Sequence, residues 1–228
     1  MVAVNHHLGV GLYTPGEAAL YSRLAVTTMM RWLRGENGGH AVLRPEAGAD
    51  AERSVTFLDF VQLLAIHDIR TQHRLPLQKI REAVRRAEDE YQLNHPLARR
   101  HVTFLLGDEI VILPEGSEDL VQVTGRQKHQ MVMRRIVEVY LKDLTFGEDG
   151  LAVAYKAFRW LDVQIEMDPK RRFGEPLVKS CGYTAQALWE AAKAEGSIEA
   201  AAEAYGVQPI EVEAAFRYFN LLEGKAAA

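Results

Sequence analysis

The sequence predicts a mainly α-helical protein with a helix-turn-helix pair near each end of the chain and a small β-hairpin region between them. In the first pair, residues 13–20 and 24–33 have the apolar spacing of two short helices joined by a turn. In the second, residues 197–207 are followed by a helix that Pro209 opens. Such pairs present a helix to a DNA groove or to a partner protein. We therefore expect a binding protein and not an enzyme.

The composition predicts a globular protein of the cytoplasm. The chain has 228 residues, 48% of them hydrophobic, which is enough to bury a core in two or three compact units. It has no apolar run near the roughly 18 residues of a spanning helix and no signal-peptide pattern, so we expect no membrane association. Cys181 is the single cysteine, so neither an intrachain disulfide nor a cluster of thiolate ligands can form.

The net charge of −4 is distributed unevenly along the chain. Residues 1–100 contain 13 Lys and Arg against 11 Asp and Glu, and residues 101–228 contain 14 against 20, so the two parts carry +2 and −6. A mildly basic N-terminal part suits a surface that faces phosphates. Ordinary solvated charge explains the same numbers.

Residues 1–95 are predicted to form the first of three domains. Gly38 and Gly39 are expected to end the second helix of this domain. Thr56 is a candidate N-cap for the third helix, with Asp59 in the capping-box position. The polar segment after the second helix has the character of a wing. The predicted elements are helices at 15–22, 27–34, 56–73 and 77–91, an extended run at 40–44 and a loop at 45–53.

The other two domains are predicted at residues 96–162 and 163–228. His95 and Pro96 mark the first boundary, and Thr184 is a candidate N-cap in the last domain. The middle domain has predicted strands at 102–106, 109–113 and 120–123 and a helix at 127–144, while 146–160 fits no single pattern. The C-terminal domain has predicted strands at 163–166 and 176–178 and helices at 184–195, 197–205 and from 209.

The N-terminal segments resemble the DNA-binding domain of MerR-like regulators. The likeness spans residues 13 to about 87 and rests on Tyr13-Thr14, Glu17-Ala18-Ala19, residues 27–32, 63–70 and 77–81. It implies a winged helix-turn-helix that reads DNA. Acidic residues in the wing and the lack of a long coiled-coil helix after it depart from the family pattern, and they argue against a drug or metal sensor.

The second helix of this pair has the residues that a DNA-reading helix needs. A helix opened by Thr27 offers first-turn amides to phosphate, and Arg31 and Arg34, one turn apart, share a face. An arginine paired with guanine gives about 1–3 kcal/mol of base discrimination. On the alternative interpretation, these arginines are merely solvated beside core residues. The candidate DNA-binding residues are Thr27, Thr28, Arg31 and Arg34 on the helix, and His40 and Arg44 on the wing.

The C-terminal segment resembles a small family of Vap-type (VapB-like) bacterial antitoxins. The likeness spans about 163–222 and rests on Asp168-Pro169, residues 173–178, 182–184, Leu188, 196–198, 205–207, Val212 and Ala215. Together with the MerR-like part, it implies a two-module antitoxin whose partner is a PIN-domain ribonuclease toxin. By the same resemblance, such a toxin holds a divalent metal with clustered carboxylates.

A cationic run lies within the antitoxin-like segment. Arginine pairs bidentately with carboxylates, and an adjacent aromatic ring supplies an apolar anchor. A solvated basic turn is the alternative interpretation of the same residues. The candidate toxin-binding residues are Lys170, Arg171, Arg172 and Phe173.

No catalytic residue, metal or cofactor is predicted. His67 and His73 are six positions apart, so they lie on different faces of a helix and do not match a metal site. The sequence has no phosphate-binding loop and no nucleophile elbow. Cys181 has no histidine nearby in the sequence to activate its thiol.

These observations predict an antitoxin that neutralises a PIN-domain ribonuclease and represses its own operon by binding double-stranded operator DNA. A palindromic operator needs two recognition helices, so we expect a homodimer. One alternative is a ligand-responsive MerR-like transcription regulator with residues 101–165 as its sensor. Another is an adaptor in which both helix pairs contact proteins.

Overall fold

A computed structural model describes residues 11–35, 41–44, 54–106, 109–114, 133–136 and 139–226. They divide into two compact units, which we call the terminal unit (1–26 with 154–228) and the central unit (27–153). This division differs from the three expected domains, because residues 11–26 belong with the C-terminal part of the chain. No helix in the described ranges is long and apolar enough to cross a membrane.

The helices and strands, in chain order, have the following bounds. The helices are α1 (Pro15–Ser22), α2 (Val26–Arg34), α3 (Phe57–His73), α4 (Leu77–Glu90), α5 (Ala185–Glu195), α6 (Ile198–Tyr205) and α7 (Pro209–Ala226). The strands are β1 (Leu12–Tyr13), β2 (Val55–Thr56), β3 (His101–Leu106), β4 (Glu109–Pro114), β5 (Met133–Ile136), β6 (Leu144–Phe146), β7 (Ala152–Trp160), β8 (Val163–Met167) and β9 (Leu177–Val178).

Side-chain caps begin several helices where the sequence predicted them. Thr56 accepts a hydrogen bond from the amide of Asp59 at 3.2 Å, and Thr184 accepts one from Ala187 at 3.2 Å, which confirms both predicted N-caps. The prediction for Thr27 is wrong: α2 begins at Val26, so Thr27 lies inside the first turn and does not cap the helix.

The central unit contains α2, α3 and α4 and a three-stranded antiparallel sheet. The buried faces of α3 and α4 are mainly apolar, although α3 also buries Asp59 and Gln62. Strand β3 lies between β4 and β5 in the sheet. Strands β3 and β4 pair antiparallel from His101 with Pro114 to Leu106 with Glu109, which confirms the pairing of the predicted hairpin. The main buried side chains are Phe57, Phe60, Leu63, Ile66, Ile69, Ile80 and Val84.

The predicted helix at 127–144 is wrong for the residues that the structure describes. Met133–Ile136 is strand β5, which pairs antiparallel with β3, and Val139–Asp143 is a short 3-10 helix. The free edge of β3 supplies hydrogen bonds that outweigh the helical spacing of this segment. The ambiguous segment 146–160 forms the end of β6 and all of β7. The third strand predicted at 120–123 lies outside the described residues.

The terminal unit consists of an antiparallel sheet, the predicted C-terminal helices and α1. Strand β8 pairs with both β7 and β9, and α7 packs against β8, α5, α6 and α1. The core of the unit includes Tyr218, which is 1% exposed and lies 5.7 Å from the ring of Phe158. Helix α1 contributes Ala18, Ala19 and Tyr21 to this unit as buried side chains.

The burial of α1 predicts that its loss destabilises the terminal unit. Replacing Tyr21, which is 7% exposed, with Ala should lower the free energy of unfolding by about 3–5 kcal/mol in urea denaturation. Leu161 is 62% exposed, so Leu161→Ala should change the free energy by less than about 0.5 kcal/mol. Similar losses in the two variants would contradict the packing of α1 in this unit.

Candidate functional sites

One face of α2 carries the residues that were predicted to contact DNA. Thr27, Arg31 and Arg34 are exposed and Thr28 is half-buried. Residues spaced by three or four positions share a helix face, so the two arginines and Thr27 form one polar surface. The opposite face, with Met29, Trp32 and Leu33, is buried in the central unit.

The segment after α2 is tied to the central unit. The amides of Val42 and Leu43 donate to the carbonyl of Trp32 at 2.8 and 3.4 Å. Arg44 pairs with Glu88 at 3.3 Å and with Asp89 at 3.1 Å, although 66% of its side chain remains exposed. Burial raises the pKa of Glu88, while Arg44 opposes this shift. A DNA phosphate at Arg44 would compete with these carboxylates. His40 lies outside the described residues.

The predicted toxin-binding residues form one loop between β8 and β9. Lys170, Arg172 and Phe173 are exposed, Phe173 to 60%, and Arg171 is half-buried. At the start of the loop, the carboxylate of Asp168 accepts a hydrogen bond from the amide of Lys170 at 2.8 Å. We call residues 170–174 the cationic loop.

The backbone of the cationic loop is left-handed at three successive residues. The φ angles are 46° at Arg172, 55° at Phe173 and 89° at Gly174. A left-handed conformation costs a residue other than glycine about 1–2 kcal/mol. Strained residues of this kind persist only where the surrounding structure fixes them, and they are common at binding sites. The loop therefore holds Arg172 and Phe173 in an unusual, fixed presentation.

Tyr13 holds the end of this loop. Its hydroxyl donates to the carbonyl of Gly174 at 2.9 Å, and the ring is 2% exposed. A Cβ atom at Gly174 would collide with that hydroxyl, so glycine is required by close approach as well as by φ. Burial raises the pKa of Tyr13, which keeps the hydroxyl protonated as a donor. The sequence contains no local signal for this contact, because the partners are 161 positions apart.

A second turn lies beside the cationic loop. A Cβ atom at Gly182 would be 3.6 Å from a guanidinium nitrogen of Arg171, in ordinary contact. The neighbouring Tyr183 is 39% exposed, and its ring packs edge-on against Tyr205 at 5.1 Å. The guanidinium of Arg171 therefore lies beside the turn at Gly182, which directly precedes Tyr183.

Metal-binding groups and the thiol of Cys181 are the next features of the described residues. They contain no group of three or more His, Cys, Asp or Glu side chains that is placed to hold a metal. Burial raises the pKa of the Cys181 thiol, which makes it a weak nucleophile. The nearby Lys179 forms an ion pair with Glu166 at 2.8 Å.

The central unit contains a cavity of about 240 Å³. Arg99 spans one side of it and donates to the carbonyls of Asn94 at 2.8 Å and Asp149 at 2.9 Å. Arg100 stacks over the ring of Phe146 at 5.3 Å. The cavity is lined by Leu93, Arg99, Arg100, His101, Gly147, Glu148, Asp149 and Gly150.

Comparisons with known proteins connect part of this chain to antitoxins. It is 32% identical over 98 residues to the Mycobacterium tuberculosis protein "Putative antitoxin VapB45"; the match covers 42% of this chain and 41% of that protein. The fold resembles the crystal structure of Rv2018 from Mycobacterium tuberculosis, with a TM-score of 0.63 and 22% identity over 92% of this chain and 99% of the other. At that identity, the structural likeness shows the fold alone. No protein-family model matches the sequence.

The left-handed conformation of Phe173 predicts an unusual effect on stability. Phe173→Gly should raise the free energy of unfolding by up to about 1 kcal/mol, because glycine adopts positive φ without steric cost. Phe173→Ala keeps the Cβ atom and should give no such gain. Chemical denaturation of both variants measures the difference, and a glycine variant less stable than the alanine variant would contradict a strained loop.

Proposed function

We propose that this protein is an antitoxin that binds and neutralises a PIN-domain ribonuclease toxin and represses its own operon by binding double-stranded operator DNA. The similarity over 98 residues to a protein named as an antitoxin supports the first role. The observation that carries the proposal is the cationic loop, which exposes Arg172 and Phe173 on a strained backbone. The full proposal includes a homodimer and a cytoplasmic location.

The chemistry of the cationic loop suits an acidic, metal-binding cleft. A guanidinium pairs bidentately with a carboxylate, so an inserted arginine would occupy the acids that hold the toxin's metal. Phe173 would bury its exposed ring against the rim of the cleft, and aromatic and arginine anchors contribute much of the binding energy at interfaces. Because the loop is already fixed, less conformational entropy is lost on binding. Lys170 would add long-range electrostatic attraction to the acidic cleft.

The polar face of α2 suits DNA. Arg31 and Arg34 are positioned on one exposed face with Thr27, which is the arrangement that a recognition helix needs to reach base edges and phosphates. Thr28, His40 and Arg44 would add contacts to the sugar-phosphate backbone of the DNA. A palindromic operator would require this face twice, which is the reason for proposing a dimer.

The C-terminal helices are acidic, which makes them less suited to DNA than α2 is. Residues 185–226 contain three Lys and Arg against seven Glu, so they carry a charge of −4. Glu199 and Glu203 are exposed on α6, and Glu213 on α7 is half-buried and pairs with Arg217 at 2.7 Å. Such a surface repels phosphates. We therefore assign DNA binding to α2 and not to the C-terminal helices.

Removing the charge of the cationic loop should abolish neutralisation. The double variant Arg171→Ala, Arg172→Ala should weaken toxin binding by about 2–5 kcal/mol, because it leaves toxin carboxylates buried without partners. Ribonuclease assays with stoichiometric antitoxin should then show released activity, while operator binding stays intact. The control variant Lys156→Ala, Lys193→Ala removes the same charge from exposed sites elsewhere in the terminal unit. Full neutralisation by the Arg171→Ala, Arg172→Ala variant would show that the cationic loop is not part of the inhibitory surface.

Operator binding should depend on α2 and on salt. Phosphate contacts release counterions, so the affinity should fall steeply between low and physiological salt. Arg31→Ala should reduce the preference for operator over unrelated DNA, while Arg44→Ala should lower affinity for both sequences alike and by less, since Arg44 already pairs with two acids. Fluorescence anisotropy with both DNAs measures these effects. Unchanged operator preference in Arg31→Ala would exclude this residue from base readout.

A second candidate function is a ligand-responsive transcription regulator. The cavity in the central unit favours it, because Arg99, Arg100 and His101 line a space within the predicted sensor segment 101–165 or directly before it. Small-molecule sites are usually mainly apolar, whereas this cavity mixes charges of both signs. Co-expression with the adjacent gene separates the candidates: a stable complex with a PIN-type product supports the antitoxin, and a ligand-dependent change in operator affinity without such a complex supports the regulator. The adaptor alternative, in which both helix pairs contact proteins, predicts no DNA binding even at low salt.

A further inference from the structure

Tyr13 joins the N-terminal segment to the cationic loop. Its hydroxyl donates to the Gly174 carbonyl at 2.9 Å in a buried contact between residues 161 positions apart. The ring of Tyr13 is itself fixed, because it packs edge-on against Tyr21 at 6.1 Å. The next residue, Thr14, forms a reciprocal capping box with Glu17, so the backbone that carries Tyr13 is anchored to the start of α1.

The cationic loop depends on contacts at both of its ends. At its start, Asp168 accepts hydrogen bonds from the amides of Lys170 and Arg171 at 2.8 and 2.9 Å. At its end, the left-handed Gly174 lies so close to Tyr13 that no side chain fits between them. Between these ends, the backbone of Arg172 and Phe173 is in a conformation that neither residue prefers. The hydroxyl of Tyr13 is thus placed to fix that conformation.

We infer that Tyr13 is a positioning residue for toxin binding. It is buried and does not touch the toxin; it acts by holding Arg172 to Gly174 in the left-handed conformation that exposes Arg172 and Phe173. The inference rests on the proposed function, because it takes the cationic loop as the toxin-binding element. Residues 11–22 were predicted to belong to a DNA-binding domain. On this inference they instead support the loop that binds the toxin.

The test compares Tyr13→Phe with Tyr21→Phe in the full-length protein. Each variant removes one hydroxyl from a buried ring, but only the first removes the donor to Gly174. The first measurement needs no toxin: trypsin cuts after Lys170, Arg171 and Arg172, and mass spectrometry follows the rate at these sites against the rate at Lys193 in α5. We expect cleavage of the loop to be on the order of tenfold faster in Tyr13→Phe and unchanged in Tyr21→Phe, because local opening exposes the loop.

The second measurement is toxin affinity, which should fall by about tenfold in Tyr13→Phe, the loss expected for one buried hydrogen bond. Gly174→Ala places a methyl group against the Tyr13 hydroxyl and should have a similar effect. The combined variant should then lose less than the product of the two single losses, because both act on one contact.

The outcomes separate this inference from the proposed function. Equal loop cleavage in Tyr13→Phe and Tyr21→Phe would overturn the positioning role, even if Arg171→Ala, Arg172→Ala abolishes neutralisation. Faster loop cleavage with unchanged toxin affinity would show that the loop is not the toxin-binding element, which overturns the inference and the loop's role in the proposed function. Faster cleavage together with weaker toxin binding, both confined to Tyr13→Phe, would support the inference.

Discussion

The hydrogen bond from Tyr13 to Gly174 brings a residue near the start of the chain against a loop near its end. Around this contact, α1 packs with α7, and the terminal unit is completed by residues from both ends of the sequence. A buried donor or acceptor that loses its partner and stays away from water costs about 1–3 kcal/mol. The contact therefore links the N-terminal segment to this unit, and on our inference it holds the conformation of the cationic loop.

The two proposed binding surfaces are both cationic, but different units carry them. The exposed arginines of α2 belong to the central unit, whereas the cationic loop belongs to the terminal unit, whose C-terminal helices are acidic. Two cationic surfaces on different units suit two anionic partners, a DNA backbone and a cluster of carboxylates. The first helix pair is itself divided, because α1 belongs to the terminal unit and nearly all of α2 to the central unit.

The sequence predicts the elements that local interactions determine and misses those that distant contacts determine. The N-caps at Thr56 and Thr184 and the hairpin of β3 and β4 follow from short-range patterns and are confirmed. Strand β5 was predicted as helix because its pairing with β3 is not visible in its own spacing. The residues of the cationic loop were selected from their charge, but their left-handed backbone has no local signature apart from Gly174, and Tyr13 was selected only for a helix pair.

The central claim is that Phe173 and its neighbours enter the toxin, and photo-crosslinking tests it most directly. A photoreactive phenylalanine analogue is incorporated at position 173 or at position 161, both of which are more than half exposed in the terminal unit. After co-expression with a candidate PIN-domain toxin and irradiation, we expect position 173 to crosslink to a toxin peptide containing the metal-binding carboxylates, and position 161 to give no crosslink. Crosslinking at position 161 with none at position 173 would contradict the account.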